Sequence, residues 1–267
     1  MQANQLPSSR GWTWLRDGLQ LWRKNPPLIT FAAFGYLLVL VVVSIFPIIG
    51  QLVASLIMPA LSVGVLNACR AVDAGRKVGP DVLLSGFRTN LPALIAIGGI
   101  YLIGTLIVLL LVSLVDDGTL MEAMRAGQID EAAAADSSLG FALLVALSLS
   151  TPLMMAYWFA PMLAAWWKMP APKAMFFSFY ACLRNWRPFL AYAIGLLLFG
   201  AFLPGILIGV LGMVSPTLAT LASVPVPLIL VPVLFASFYA NACDVFGLPE
   251  DGATRALPPA RSPGNDD

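Results

Sequence analysis

Hydrophobic residues in this chain come in long runs separated by short polar stretches. Four stretches carry no Asp, Glu, Lys or Arg: Asn25 to Cys69, Thr89 to Val115, Ser137 to Trp167 and Pro188 to Cys243. A helix rises about 1.5 Å per residue and a hydrocarbon core is about 30 Å thick, so roughly 20 apolar residues make one span. The middle stretches hold one span each. The outer stretches hold two each, because Pro47 with Gly50, and Gly212 with Ser215 and Pro216, supply turns. The pattern predicts spans at Leu28 to Phe46, Gln51 to Ala68, Leu91 to Val115, Leu139 to Trp167, Phe189 to Leu211 and Leu221 to Ala242. The first apolar run is too long for a signal peptide's core and leads straight into a second span, so an uncleaved segment is expected.

A second pattern overlies the first. Before the first, third and fifth spans the chain has a short amphipathic stretch, an Arg, and a Pro four residues after it. The copies are Trp22-Arg23-Lys24-Asn25-Pro26-Pro27, Phe87-Arg88-Thr89-Asn90-Leu91-Pro92 and Leu183-Arg184-Asn185-Trp186-Arg187-Pro188. The second span of each pair carries Pro59, Pro161 or Pro232. The expected fold is therefore all-α: a polytopic membrane helix bundle of six transmembrane helices in three parallel helical-hairpin repeats, each preceded by an interfacial amphipathic helix. One transmembrane domain is expected over residues 10–246, with repeats at about 10–70, 80–168 and 171–244, between disordered residues 1–9 and a disordered tail, 247–267. In the first copy Trp12, Leu15, Leu19 and Trp22 form the expected membrane-facing stripe, with Trp14 as a further anchor at headgroup depth.

Charge adds an orientation. Of 15 Lys and Arg, all but Arg125 fall in the N-terminal segment, the second and fourth connections, or the tail. By the positive-inside rule these lie in the cytoplasm with both termini. The third connection, residues 116–138, holds Asp116, Asp117, Glu122, Asp130, Glu131 and Asp136, and is expected outside as a solvated acidic loop. A multi-pass membrane protein with cytoplasmic N- and C-termini is expected.

Composition narrows the chemistry. The chain is 59% hydrophobic and 11% charged, against the roughly 25% charged content of soluble domains, so the bilayer is its main partner. Fifteen basic residues against 14 acidic ones give no field for nucleic acid. The chain has no His, which removes the commonest general base and metal ligand, and no cofactor motif stands out. Cys69, Cys182 and Cys243 are isolated and read as small apolar fillers. No enzyme, metal or cofactor is expected.

Two sets of candidate residues remain. Arg23, Arg88 and Arg184, with Asn25, Asn90 and Trp186 beside them, suit phospholipid headgroups, since a guanidinium fork fits phosphate; plain snorkelling anchors are the competing reading. Thr151, Tyr157, Pro161, Asn67 and Asn241 are the polar or helix-breaking residues of the even-numbered spans, the alternative being a solute path of a small transporter or channel. A membrane-protein partner or homo-oligomer fits the first set equally well.

Gly11-Trp12-Thr13-Trp14, Gly86-Phe87-Arg88-Thr89-Asn90, Ala156-Tyr157-Trp158-Phe159-Ala160-Pro161 and Ala181-Cys182-Leu183-Arg184-Asn185-Trp186 resemble landmarks of a proteobacterial inner-membrane protein family without an assigned activity. More distantly, the layout is similar to the membrane domain attached to some glycerophosphoryl diester phosphodiesterases. The resemblance implies a location and a fold, and carries over no catalytic residue.

Overall fold

The computed structural model describes residues 3–115 and 137–248. The acidic connection and the Pro-rich tail, both singled out by sequence, lie outside the described residues. The elements are α1 (Arg10–Lys24), α2 (Pro26–Ser44), α3 (Ile49–Asp73), a 3-10 helix (Pro80–Arg88), α4 (Leu91–Ser113) and α5 (Ser137–Trp158). There follow α6 (Ala160–Trp166), α7 (Ala171–Arg184), α8 (Trp186–Leu196), a π-helical turn (Leu197–Phe202), α9 (Leu203–Val214), α10 (Pro216–Ser223) and α11 (Pro225–Phe246). No strand occurs among the described residues.

Six of the described segments are long and apolar enough to cross a bilayer: Pro26–Ser44, Ile49–Asp73, Leu91–Ser113, Gly140–Trp166, Trp186–Val214 and Pro216–Phe246. Their flanks expose Leu38, Val41, Leu106, Leu110, Leu144, Leu147, Leu207 and Val210, a surface that water would not tolerate and oil does. The second and sixth spans outrun their sequence limits, because helix continues past the last apolar run wherever the added charge has a partner. Arg70 sits in the last turn of α3, where the helix dipole favours a cation. Asp73 closes that helix and takes Lys24 Nζ at 2.8 Å. Asp244 in α11 accepts from the Trp14 indole at 2.7 Å and from Arg10.

Three breaks interrupt the spans where the sequence places Pro or Gly. The fourth span divides at Phe159, ahead of Pro161, into α5 and α6. The fifth widens into the π turn around Gly200, and the sixth divides at Val224, before Pro225. A proline without N–H cannot continue the ladder, so the chain re-starts there.

Each odd-numbered span begins at an Asn. Asn25 caps α2, its side chain accepting from the Leu28 N–H at 3.3 Å, with Pro26 and Pro27 in the first turn. Asn90 and Asn185 stand in the same place before α4 and α8. An amphipathic segment precedes each: α1, the 3-10 helix and α7.

These segments do not seat on the spans they introduce. The 3-10 helix packs on α3 and α2, and α7 packs on α5, α6 and α4, so each lies on the pair before it. No described pair of spans precedes α1, and it packs between α8 and α11 of the last pair. Glycine makes both close approaches: a Cβ on Gly64 of α3 would fall on the Leu83 carbonyl oxygen, and one on Gly18 of α1 would lie 2.5 Å from the Ser237 backbone nitrogen.

The face of α1 that meets the protein corrects the sequence reading. Gly11, Trp14, Gly18 and Leu21 are its buried stripe, and Trp14 is 0% exposed, so it anchors no headgroup. Helix packing in a membrane favours small residues that let backbones approach, and the larger Trp12–Leu15–Leu19 stripe is left outside it. The N-terminal residues differ from expectation too. Asn4 donates its backbone N–H to the Val245 carbonyl at 2.9 Å, and Leu6 N–H donates to Asn185 Oδ1 at 2.9 Å, so this segment is pinned at both points.

Candidate functional site

Arg23, Arg88 and Arg184 lie in the last turns of α1, the 3-10 helix and α7, and all three are exposed. Arg88 approaches Asp81 at 3.7 Å, both side chains largely in solvent, a pair worth roughly 0–1 kcal/mol. Arg23 and Arg184 have no ion-pair partner among the described residues. Trp186 is exposed beside Arg184, and the Arg187 guanidinium lies 5.4 Å from its ring centroid. Each of the three arginines lies one or two residues before the Asn that starts a span.

The asparagines beside them do structural work instead of facing outward together. Asn90 Nδ2 donates to the carbonyls of Ala164 and Met169, at 3.1 and 3.0 Å, tying the start of α4 to the end of α6. Asn185 is fully buried: its amide accepts from Leu6 N–H and donates to the Asn4 and Ala181 carbonyls at 2.9 and 3.0 Å. Asn25 alone is exposed.

The residues suggested for a solute path are not brought together. Tyr157 and Pro161 line a central cavity of about 460 Å³, walled mainly by aromatic and aliphatic side chains such as Tyr101, Trp158, Tyr192 and Phe238. Thr151 faces a neighbouring cleft and spends its hydroxyl on the Leu147 carbonyl at 2.7 Å. Asn67 lines neither cavity: it donates to Ser85 Oγ at 2.8 Å and accepts from the Trp166 indole at 2.9 Å, joining the 3-10 helix to α6. Asn241 is buried in α11 with neither amide atom partnered.

No Asp, Glu, Lys or Arg lines the central cavity, whose polar side-chain groups are the hydroxyls of Ser62, Tyr101, Tyr157 and Tyr192 and the Trp158 indole. The described residues contain no cluster of three His, Cys, Asp or Glu suited to a metal. Cys182, buried in α7, has its thiol pushed up to about 12 by that burial, so it stays protonated and poorly nucleophilic at neutral pH.

Sequence reasoning missed Ser178. It is fully buried in α7, donates to the Met155 carbonyl at 2.7 Å and accepts from the Phe159 N–H at 2.8 Å. One hydroxyl therefore satisfies both backbone groups freed where the fourth span breaks. The signal was present: Ala171, Ala174, Ser178 and Ala181 form a small-residue stripe at helical spacing, with Ser178 as its polar member.

Six apolar spans, interfacial amphipathic segments and an uncharged interior define a polytopic helical membrane protein. In sequence the chain is 34% identical, over 96% of its length and 97% of the relative's, to a probable inner membrane protein of Burkholderia thailandensis. The chain belongs to the family of that protein, and is a multi-pass inner membrane protein. No family model matches it, and no solved structure does. The more distant likeness to the membrane domain of glycerophosphoryl diester phosphodiesterases is not among what the comparisons show.

Proposed function

We propose that this protein is a non-catalytic inner-membrane component, with both termini in the cytoplasm, that engages anionic phospholipid through Arg23, Arg88 and Arg184. The observation that carries this reading is the shared setting of the three arginines: each is exposed, each lies in the last turn of an amphipathic segment, and each precedes by one or two residues the Asn at which a span begins. A guanidinium held there can meet a lipid phosphate with two parallel hydrogen bonds. The repeated segment, Asn and span pair, and the seating of each segment on the preceding pair, support reading the chain as three parallel units around one bundle. The uncharged cavity and the scattered path residues favour this over solute transport.

Replacing all three arginines by Gln should weaken retention of the phosphatidylglycerol molecules held at these positions about a hundredfold. Each cation near an anionic lipid surface contributes about 1 kcal/mol, and three together about 3 kcal/mol. Native mass spectrometry of the detergent-solubilised protein reads the loss directly, and undiminished retention defeats the proposal. For orientation, a cysteine introduced at Asp130 should react with an impermeant maleimide added outside spheroplasts, while one at Arg23 should not.

A further inference from the structure

The outer stripe of α1, left unexplained by its core packing, faces a space of its own. A cavity of about 600 Å³ lies under α1 between the fifth and sixth spans. From α1 it is lined by Trp12, Leu15, Arg16 and Leu19, the spacing of one helix face. The residues supplied by the two spans are all apolar or glycine, so Arg16 is the one charged group among those lining it.

Its walls follow from the backbone. The π turn widens the fifth span, and Phe199 from that turn meets the Trp12 ring edge-on at 6.3 Å between centroids. Gly200 contributes no side chain, and a Cβ there would be in ordinary contact with Leu230 at 3.5 Å, so anything larger would project into the space. From Leu196 to Pro204 the wall descends about 12 Å into the membrane, at 1.5 Å per residue. At the α1 edge, the Arg16 side chain is 67% exposed. Among the described residues one carboxylate reaches it, Asp17, which is 3.8 Å away and also serves Arg10 at 3.4 Å.

We infer that this groove is a phospholipid site: one acyl chain lies between the fifth and sixth spans and an anionic headgroup phosphate rests on Arg16. An apolar slot with one cation at its interfacial end matches an amphiphile of that polarity, and the slot rejects free phosphate because Arg16 is its one charged group. Inside a bilayer the chain gains little from leaving other chains, so headgroup charge at Arg16 decides which lipid is held. The site uses none of Arg23, Arg88 or Arg184 and stands apart from the reading given for them.

Delipidated protein in mild detergent, supplied with phosphatidylglycerol, phosphatidylcholine or inorganic phosphate, tests it by native mass spectrometry. Wild type should retain one phosphatidylglycerol per chain at energies that strip the rest, and at least tenfold less phosphatidylcholine. Arg16→Gln should lose that retention tenfold or more, Arg16→Lys should restore part of it, and Gly200→Leu should abolish it by filling the slot. Arg23→Gln/Arg88→Gln/Arg184→Gln should keep this single lipid while losing the loosely held ones. Equal retention of the two lipids, displacement by inorganic phosphate, or full retention in Arg16→Gln overturns the site. Because Arg16 is exposed, that variant folds even if Gly200→Leu does not, and a dimer in place of a lipid adduct would assign the groove to a second copy instead.

Discussion

Gly64→Ala should lower the melting temperature of the detergent-solubilised protein by about 6–12 °C. The added methyl would fall on the Leu83 carbonyl oxygen, with the Leu83 carbonyl carbon at 2.6 Å and its Cα at 3.0 Å. These are backbone atoms of the 3-10 helix and cannot swing aside as a side-chain end would. The 3-10 helix must lift from α3, and Gly86, whose own Cβ would meet the Ala60 carbonyl, fixes the same interface from the other side. Overpacking of this kind costs about 3 kcal/mol, and for a chain of this size each kcal/mol moves the midpoint about 2–4 °C. Gly205→Ala is the control: nothing lies within 4 Å of its Cβ position in α9, and alanine is the better helix former by about 1 kcal/mol. A Gly64→Ala protein melting within about 2 °C of wild type would show that the 3-10 helix is not seated as described.

Asn185→Leu should release the N-terminal segment. The amide supplies an acceptor to Leu6 N–H and donors to the Asn4 and Ala181 carbonyls, and leucine supplies neither. Each buried group left without a partner costs about 1–3 kcal/mol, so undocking residues 3–9 into water becomes the cheaper outcome. Amide hydrogen exchange at Leu6 should rise about a hundredfold, the equivalent of roughly 3 kcal/mol of lost protection, and a protease should cut ahead of α1. Asn185→Asp keeps the acceptor for Leu6 and loses both donations, so it should give an intermediate exchange rate. Unchanged exchange in the leucine variant would mean the segment is held by other contacts, such as Asn4 N–H on the Val245 carbonyl.

The spans are legible in the sequence because a charge in oil is so costly that stretches without charge mark where the oil is. Their ends are less so: Asp73 and Asp244 close helices that continue past the apolar run, and each is tolerated through a partner far off in sequence, Lys24 for one and Arg10 with Trp14 for the other. The exposed positions of Arg23, Arg88 and Arg184 follow from their place at segment ends. The roles of Asn67, Asn90 and Asn185 do not, because their partners lie on other elements and no local spacing announces them. The seat of α1 is hidden for a different reason. Its bulky stripe carries the stronger periodic signal, while the stripe it buries is half glycine, and hydrophobic period alone does not separate a face that meets lipid from one that meets protein.

The seating of α1 on the last pair of spans sets an order of events in biosynthesis. Among the described helices α1 is translated first, and its main docking surface is completed only after some two hundred intervening residues, which take roughly ten seconds or more to translate. Until then α1 has the membrane surface and its lesser contacts with α2 and α3 to rest on, with Trp14 unsheltered by the last pair. A nascent chain halted before α11 therefore holds five spans but lacks the surface that seats α1, and quality-control proteases meet an open bundle whose first and final segments have yet to join.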